Sequence, residues 1–407
     1  MLATLIPLFD SKMEVKAYSI FAQKKNLFAN PSLLGTGSLD GAAEIAGFDI
    51  IDNMGLETLS DDREVFVEVN NISLFSAIEE QCKAPHSRIV LLLNNTITPD
   101  DTYINRIKEL KAKGYKFAIR KLLIEQFEPY RQVLMLMDYM LLNHRKIKME
   151  VATKYFSQIY PDMKLVAVNV DTQEDYDKLT AEGHYDLYEG EFFRVPIVKG
   201  ETEIAPLKAT YIELLNIVND SDFELTQAAD VIGRDAALVI SLLKMVNRMT
   251  VNSGITSVRH AAAMLGQKEL KRWINTAVTK ELCSDKPSEI TRMSLVRARF
   301  SENLATIFEL NAFSSELFLM GMFSMLDKML DKPMSEALDA VKVSKDISDA
   351  LLKKEGKLAP VYEFVLNYED ASWQEVSRLM MLSGIDMDNV YSAYIQALAW
   401  YKQLFGE

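Results

Sequence analysis

Cysteine and histidine are scarce in this chain of 407 residues. The two cysteines, Cys82 and Cys283, stand far apart and form neither a disulfide framework nor a CxxC zinc site, so we expect a reducing compartment. None of the four histidines belongs to an HExxH motif or adjoins an aspartate. The metal ligands of zincins and of HD-type hydrolases are therefore missing, and neither chemistry is expected.

Apolar stretches that could cross a membrane are also absent, because no run approaches about 18 residues. The first residues, MLATLIPLFDSK, contain no basic segment and no small-residue cleavage pattern, so they predict a first strand instead of a signal peptide. The 16 glycines and 11 prolines are too few for a collagen-like or low-complexity chain. We therefore expect a cytoplasmic protein without membrane insertion.

Positive charge is in deficit, since 45 lysines and arginines face 58 aspartates and glutamates, for a net charge of -13. Most of such a surface repels a polyanion, so no nucleic-acid partner is expected. Hydrophobic residues make up 49% of the chain, which is enough for sizeable cores. The length favours two domains.

The N-terminal half alternates between apolar runs and helical stretches. The runs are the continuous type found in strands that are buried on both faces, and they cover residues 14–22, 64–70, 88–94, 115–120, 134–142, 164–170 and 185–189. One helix is predicted over 98–114, beginning at Thr98, and another over 172–183, with Thr172 as its N-cap and Gly183 as its end. This alternation predicts a closed TIM-like (β/α) barrel, with an open doubly wound sheet as the alternative.

The C-terminal half shows helical patterns throughout. Within residues 234–249, Asp235 is expected to cap a helix whose apolar residues share one face. Gly233 and Gly266 are expected to end helices. The change of pattern falls in a segment that contains proline and glycine, which favours a linker there. The predicted junction is 197–208, and the predicted domains are 1–200 and 201–407.

Several short segments resemble two bacterial signalling families. In the first half, VKAYSIFA (15–22), GYKFAIRKL (114–122), KLVAVNVDT (164–172) and HYDLYEGEFFRVP (184–196) resemble strands of an EAL domain, the barrel of cyclic di-GMP phosphodiesterases. In the second half, RDAALVISLLKMVN (234–247), ITSVRHAAAMLG (255–266) and KELKRWI (268–274) resemble an HDOD domain. The order of the two is similar to that of YuxH-like two-domain proteins. The resemblance implies an EAL-type barrel followed by an all-helical, HD-related HDOD domain.

An EAL barrel hydrolyses its substrate with two divalent metals, which carboxylates and an asparagine hold at the strand ends. The resemblance places the family's site positions at Ser19, Gln23, Glu68, Leu92, Asn95, Arg120, Lys121, Leu141, Asn143, Val168, Asp171 and Glu189. Arg120 and Lys121 replace paired aspartates, and their charge would repel metal ions. Leu92 and Val168 offer no lone pair. We therefore expect a degenerate site with no catalytic residue, no metal and no cofactor.

The expected function is a non-catalytic signalling adaptor of the cyclic di-GMP type, which contacts a signalling or regulatory protein. The resemblance suggests motility or biofilm regulation as the setting. A cyclic di-GMP receptor without hydrolysis and a weak metal-dependent phosphodiesterase are the alternatives. Cyclic di-GMP binding is not expected, because Gln23 replaces the family's arginine, and because Arg120 and Lys121 are expected to pair with Glu125 and Glu128.

Lys268, Arg272 and Trp273 are the candidate partner-binding residues in the helical half. Arginine and tryptophan are frequent at interaction hot spots, and these two are adjacent on a predicted helix that also carries Lys268. A solvated helix face, with Trp273 in the core, is the alternative. The sequence leaves homo-oligomerisation open.

Overall fold

The first half of the chain folds into a closed barrel of eight strands. The computed structural model describes residues 1–24, 43–147, 155–197, 206–220, 222–249 and 255–405. The strands are β1 (Leu2–Phe9), β2 (Val15–Gln23), β3 (Glu64–Glu68), β4 (Ile89–Asn94), β5 (Lys116–Arg120), β6 (Tyr139–Asn143), β7 (Lys164–Val168) and β8 (Leu187–Glu189). Strand β1 runs antiparallel to both β2 and β8, whereas β2 to β8 pair in parallel. The closed barrel that the sequence predicts is thus confirmed.

The strands follow the predicted apolar runs, except that β6 begins later than expected. The predicted run starts at residue 134, but Arg131–Leu134 forms a helical turn and the strand starts at Tyr139. The side chain of Asp138 sets this start, because it accepts a hydrogen bond from the Phe117 amide at 2.8 Å and pairs with Lys111 at 2.7 Å. These contacts tie the beginning of β6 to β5 and to the helix before β5.

The helices around the barrel connect its strands. Their bounds are Ala46–Met54, Leu56–Ser60, Ile78–Gln81, Asp101–Ala112, Arg131–Leu134 and Gln173–Glu182. Thr172 caps the last of these by accepting from the Asp175 amide at 3.0 Å, and the helix ends at Gly183 with φ 68°, as predicted. The first turn of Asp101–Ala112 is capped by Asp100 instead of Thr98, because the Asp100 carboxylate accepts from two backbone amides.

The remainder of the described chain is helical. The bounds are Pro206–Asn219, Leu225–Ile232, Ala236–Met249, Val258–Leu282, Ser288–Ile307, Ser314–Phe323, Leu326–Leu330, Met334–Ala340, Lys345–Lys353, Ala359–Glu369, Trp373–Ser383 and Met387–Phe405. Asp235 caps its helix as predicted, since its carboxylate accepts from the Ala237 and Leu238 amides at 2.8 and 3.0 Å. Gly233 follows the helix that ends at Ile232. Gly266 has non-helical backbone angles, φ 72° and ψ 173°, and separates two helical stretches within Val258–Leu282, as predicted.

The chain divides into two compact units. The barrel unit comprises Met1–Val195, Asn303–Leu310 and Glu363–Glu407, and the helical unit comprises Pro196–Glu302 and Asn311–Tyr362. The first division lies just before the predicted junction, of which residues 198–205 lie outside the described chain. The predicted domain 201–407 differs from this division, because its last helices pack on the barrel. Fully buried Tyr368 accepts a hydrogen bond from the Ala3 amide at 3.2 Å.

Side chains that point into the barrel form a single apolar cluster. Its members alternate along the strands and include Ala17, Phe66, Val90, Leu92, Ala118, Tyr139, Leu141, Val166 and Leu187. Because side chains two residues apart share a face, the next inward positions toward the carboxyl ends are Glu68, Arg120, Asn143 and Glu189. The core therefore gives way to polar groups at one end of the barrel, which we call the barrel mouth.

Candidate functional site at the barrel mouth

The barrel mouth contains a cavity of about 650 Å³. Six of the twelve positions predicted from the sequence form part of its wall, namely Arg120, Lys121, Leu141, Asn143, Val168 and Glu189. Strand register explains the grouping, since Arg120 pairs with Leu141, Asn143 with Val168, and Val168 with Glu189. The carboxyl ends of parallel strands are where barrel enzymes place their active sites, so this cavity is the candidate site.

Arg120 dominates the electrostatics of the cavity. Its Nη2 lies 2.9 Å from Oε1 of Glu68, and its guanidinium carbon lies 5.3 Å from the ring centroid of Phe21. The side chain of Arg120 is 14% exposed, so water screens its charge poorly. The prediction that Arg120 pairs with Glu125 or Glu128 is wrong. Strands β3 and β5 run parallel on either side of β4 and bring Glu68 and Arg120 to the same end of the barrel, whereas Glu128 pairs with Arg131 at 3.8 Å.

Glu189 is the buried acid of the site. Burial raises the pKa of its carboxyl, and the nearby charge of Arg120 acts in the opposite direction. Its Oε2 atom is buried and has no hydrogen-bond partner among the described residues, and the same holds for Nε of Arg120 and Oγ of Ser19. The net direction favours a neutral Glu189, which is a poorer metal ligand than a carboxylate.

Two exposed lysines stand at the rim of the cavity. Lys121 has a positive φ of 64°, an uncommon conformation for a lysine, and follows β5 directly. Lys146 follows β6, where Asn143 donates a hydrogen bond to Oδ1 of Asn169 at 3.1 Å. Neither lysine forms an ion pair with any residue in the described part of the chain. The predicted pairing of Lys121 with Glu125 is therefore not found.

The other predicted positions lie outside the cavity wall. Ser19 and Leu92 are buried in the barrel. The amide of Gln23 donates to Oγ of Ser377 at 3.3 Å, the backbone oxygen of Asn95 accepts from the Tyr130 hydroxyl at 3.2 Å, and Asp171 pairs with Arg145 at 3.0 Å. Glu68 reaches the site through its pair with Arg120. Across the described ranges, no three His, Cys, Asp or Glu side chains are grouped so that they could hold a metal ion.

Phe21, Lys146 and Asn169 are among the cavity residues that lie outside the twelve predicted positions. Each stands at or just beyond the carboxyl end of a strand, at β2, β6 and β7 respectively. The rule that barrel sites are built from these ends could have nominated them. Since the resemblance was restricted to positions of the EAL motif, it did not draw attention to other residue types.

The three candidate partner-binding residues of the helical unit differ in exposure and in their contacts. Lys268 is exposed, and Trp273 is partly buried. Arg272 forms an ion pair with Glu302, and its guanidinium carbon lies 5.6 Å from the ring centroid of Phe318. Burial lowers the pKa of the neighbouring Lys271. Arg272 is therefore engaged within the unit instead of standing free on its surface, and the three residues do not form one exposed patch.

In the described part of the chain, no helix is both long enough and apolar enough to span a membrane.

Comparison with known proteins identifies similar sequences for both halves of the chain. The HDOD domain family matches residues 204–346. The chain is 27% identical over 326 residues to the cyclic di-GMP phosphodiesterase CdgJ of Vibrio cholerae, covering 79% of this chain and 74% of CdgJ. It is 26% identical over 412 residues to the uncharacterized protein YuxH of Bacillus subtilis, covering 98% and 97%.

Among solved structures, the chain is similar to the EAL enzyme Bd1971 in its cAMP-bound form, with a TM-score of 0.34 and 12% identity. That match covers 48% of this chain and 62% of the other, less than two thirds of its length. The closed barrel and the HDOD match confirm the predicted fold class, a (β/α) barrel followed by a helical region. The chain thus consists of a closed eight-stranded barrel and a helical region in which residues 204–346 match the HDOD domain family.

Proposed function

We propose that the chain is a non-catalytic signalling protein of the cyclic di-GMP type, which acts through contact with another protein. The observation that carries this proposal is the position of Arg120. Its guanidinium occupies the barrel mouth and lies against Glu68, the carboxylate nearest to it. A fixed cation there repels divalent metal ions and uses an oxygen that a metal would need.

The described side chains around Arg120 contain no group of three His, Cys, Asp or Glu that could hold a metal ion. Two-metal hydrolysis of a phosphodiester needs several oxygen ligands around ions about 4 Å apart. Leu141 and Val168 present hydrocarbon to the cavity, and Leu92 is buried in the barrel core. Of the two acids in the cavity wall, Glu125 lies in the exposed segment after β5, and burial raises the pKa of Glu189, which disfavours its carboxylate form. The ion pair of Arg120 with Glu68 is therefore suited to linking the carboxyl ends of β5 and β3.

The similarity to CdgJ supports the cyclic di-GMP setting, because that relative is named as a cyclic di-GMP phosphodiesterase. It does not carry the activity over, since a common fold can keep its scaffold while the site changes. At 27% identity, most side chains differ between the two proteins. With hydrolysis set aside, contact with a partner protein is an output that the barrel scaffold still allows.

The direct test is an assay of the purified full-length protein with cyclic di-GMP and either Mg²⁺ or Mn²⁺, with products separated by chromatography. We expect no turnover above a blank that contains buffer and metal. An active cyclic di-GMP phosphodiesterase run in parallel controls for substrate and metal. Turnover that EDTA abolishes would refute the proposal. The double variant Arg120→Asp/Lys121→Asp should remain inactive, because Leu92 and Val168 still offer no ligand.

A further inference from the structure

We propose that the barrel mouth is a docking site for a segment of a partner protein that inserts an aliphatic side chain into the cavity and places a carboxylate against Lys121 and Lys146. This inference rests on the proposed function, because it specifies the surface and the chemistry of the protein contact. It concerns a different ligand class from the nucleotide that EAL barrels cleave.

The first support is the apolar character of the cavity and its rim. Leu141 and Ile147 are buried in the wall, while Leu123 and Ile124 stand 50% and 57% exposed beside them. Single exposed aliphatic residues are ordinary, but two adjacent ones at the opening of a cavity extend its apolar surface outward. Such a surface accommodates a chain segment that lies across the opening and anchors one side chain inside.

The second support is the charge at the rim. Three lysines that precede β5 or lie on it, Lys111, Lys113 and Lys116, all have acidic partners in the barrel unit. Lys121 and Lys146 differ from them, because they form no ion pair with a described residue. In a chain with a net charge of -13, two cations that have no ion-pair partner among the described residues lie beside one cavity and are complementary to an acidic ligand.

Glu125 limits how acidic that ligand can be. It lies in the same wall and would repel a run of carboxylates. One or two acidic residues next to an aliphatic residue therefore fit better than a polyanionic stretch. The positive φ of Lys121 is consistent with a functional position, since strained backbone is concentrated at binding sites.

A nucleotide fits the same cavity less well. Besides a cation for the phosphate, recognition of a nucleotide needs an open aromatic face on which the base can stack. The guanidinium of Arg120 lies over the ring of Phe21 at 5.3 Å, and it is also paired with Glu68. The aromatic ring and the arginine thus engage each other, whereas the aliphatic rim and the two lysines remain available.

The test is selection of a phage-displayed random peptide library against the immobilised full-length protein, with counter-selection on the double variant Lys121→Glu/Lys146→Glu. We expect enriched peptides to carry Leu, Ile or Met beside Asp or Glu. Synthetic versions should bind the double variant about tenfold more weakly or worse by fluorescence anisotropy. The variant Leu123→Ser/Ile124→Ser, which leaves both lysines in place, should weaken binding as well.

The matched control is Lys108→Glu/Lys178→Glu, which makes the same charge change at two exposed lysines on outer helices of the barrel. It should bind the peptides like the unmodified protein. The docking site is overturned by failure of enrichment, by neutral or basic peptides, or by equal binding to the rim variant. Calorimetric binding of cyclic di-GMP that the rim variant loses would assign the cavity to a nucleotide instead. None of these binding results tests whether the protein is non-catalytic. That part of the proposed function is refuted by metal-dependent hydrolysis of cyclic di-GMP.

Discussion

Arg272→Glu tests whether the sequence or the structure gives the better account of the helical unit. From the sequence, Arg272 is a candidate for a partner surface, and its replacement should leave stability unchanged. In the structure, its guanidinium binds both carboxylate oxygens of Glu302 and lies over Phe318. Glu302 also accepts from Arg299 at 2.7 Å. We therefore expect Arg272→Glu to destabilise the unit.

The magnitude follows from three contributions. Loss of the charge-assisted pair costs about 1.5–3 kcal/mol, and loss of the contact with Phe318 costs about 0.5–1 kcal/mol. The new carboxylate repels Glu302 by about 1 kcal/mol. The side chains of Arg272 and Glu302 are 28% and 18% exposed, and Arg299 still neutralises part of the charge, so screening reduces the sum. About 2–4 kcal/mol remains, which lowers the Tm by about 5–15 °C for a unit of this size.

The measurement is urea unfolding of the full-length protein followed by circular dichroism, together with thermal unfolding. Lys268→Glu is the matched control, because this lysine lies on the same helix, is exposed and forms no ion pair with a described residue. It should change the free energy of unfolding by less than about 0.5 kcal/mol. If Arg272→Glu also stays within that range, Arg272 is a solvated residue and the reasoning from its contacts is wrong.

Two further predictions concern the barrel unit. Since burial raises the pKa of Glu189 above its ordinary value of 4.5, its protonated form stabilises the fold, and that stability is lost as pH rises through the folded-state pKa. The wild type should therefore lose stability relative to Glu189→Gln in urea unfolding as the pH rises above about 4.5. Parallel pH profiles of the two proteins would contradict this. A chain that ends at Tyr362 lacks Tyr368, a buried residue that packs against Tyr394. Loss of one such buried aromatic side chain costs about 3–5 kcal/mol. The truncated chain should therefore lose the cooperative unfolding of the barrel and bind a hydrophobic dye. Unchanged barrel unfolding in that truncated chain would show that the last helices are dispensable.

Local sequence signals determined the elements of this protein and much of its fold class. Continuous apolar runs mark strands buried on both faces, and all eight strands coincide to within one residue with part of such a run or with the apolar N-terminus. Thr172 and Asp235 were found as helix caps, because a capping side chain needs only its own backbone neighbours. The resemblance to known motifs also placed Arg120 and Glu189 at the barrel mouth. It could do so because each residue stands at the carboxyl end of its strand, and the strand itself is a local feature of the sequence.

Tertiary structure decided which distant residues meet. The pairing of Arg120 with Glu68 depends on the register of parallel strands across a closed barrel, and no local pattern specifies it. Lys146, in the segment after β6, likewise reaches the cavity only because the closed barrel brings the strand ends together. The assignment of Glu363–Glu407 to the barrel was also beyond the sequence. An amphipathic helix shows that one face is buried, but the energy of burial is non-directional, and so the helix alone does not say which core receives it.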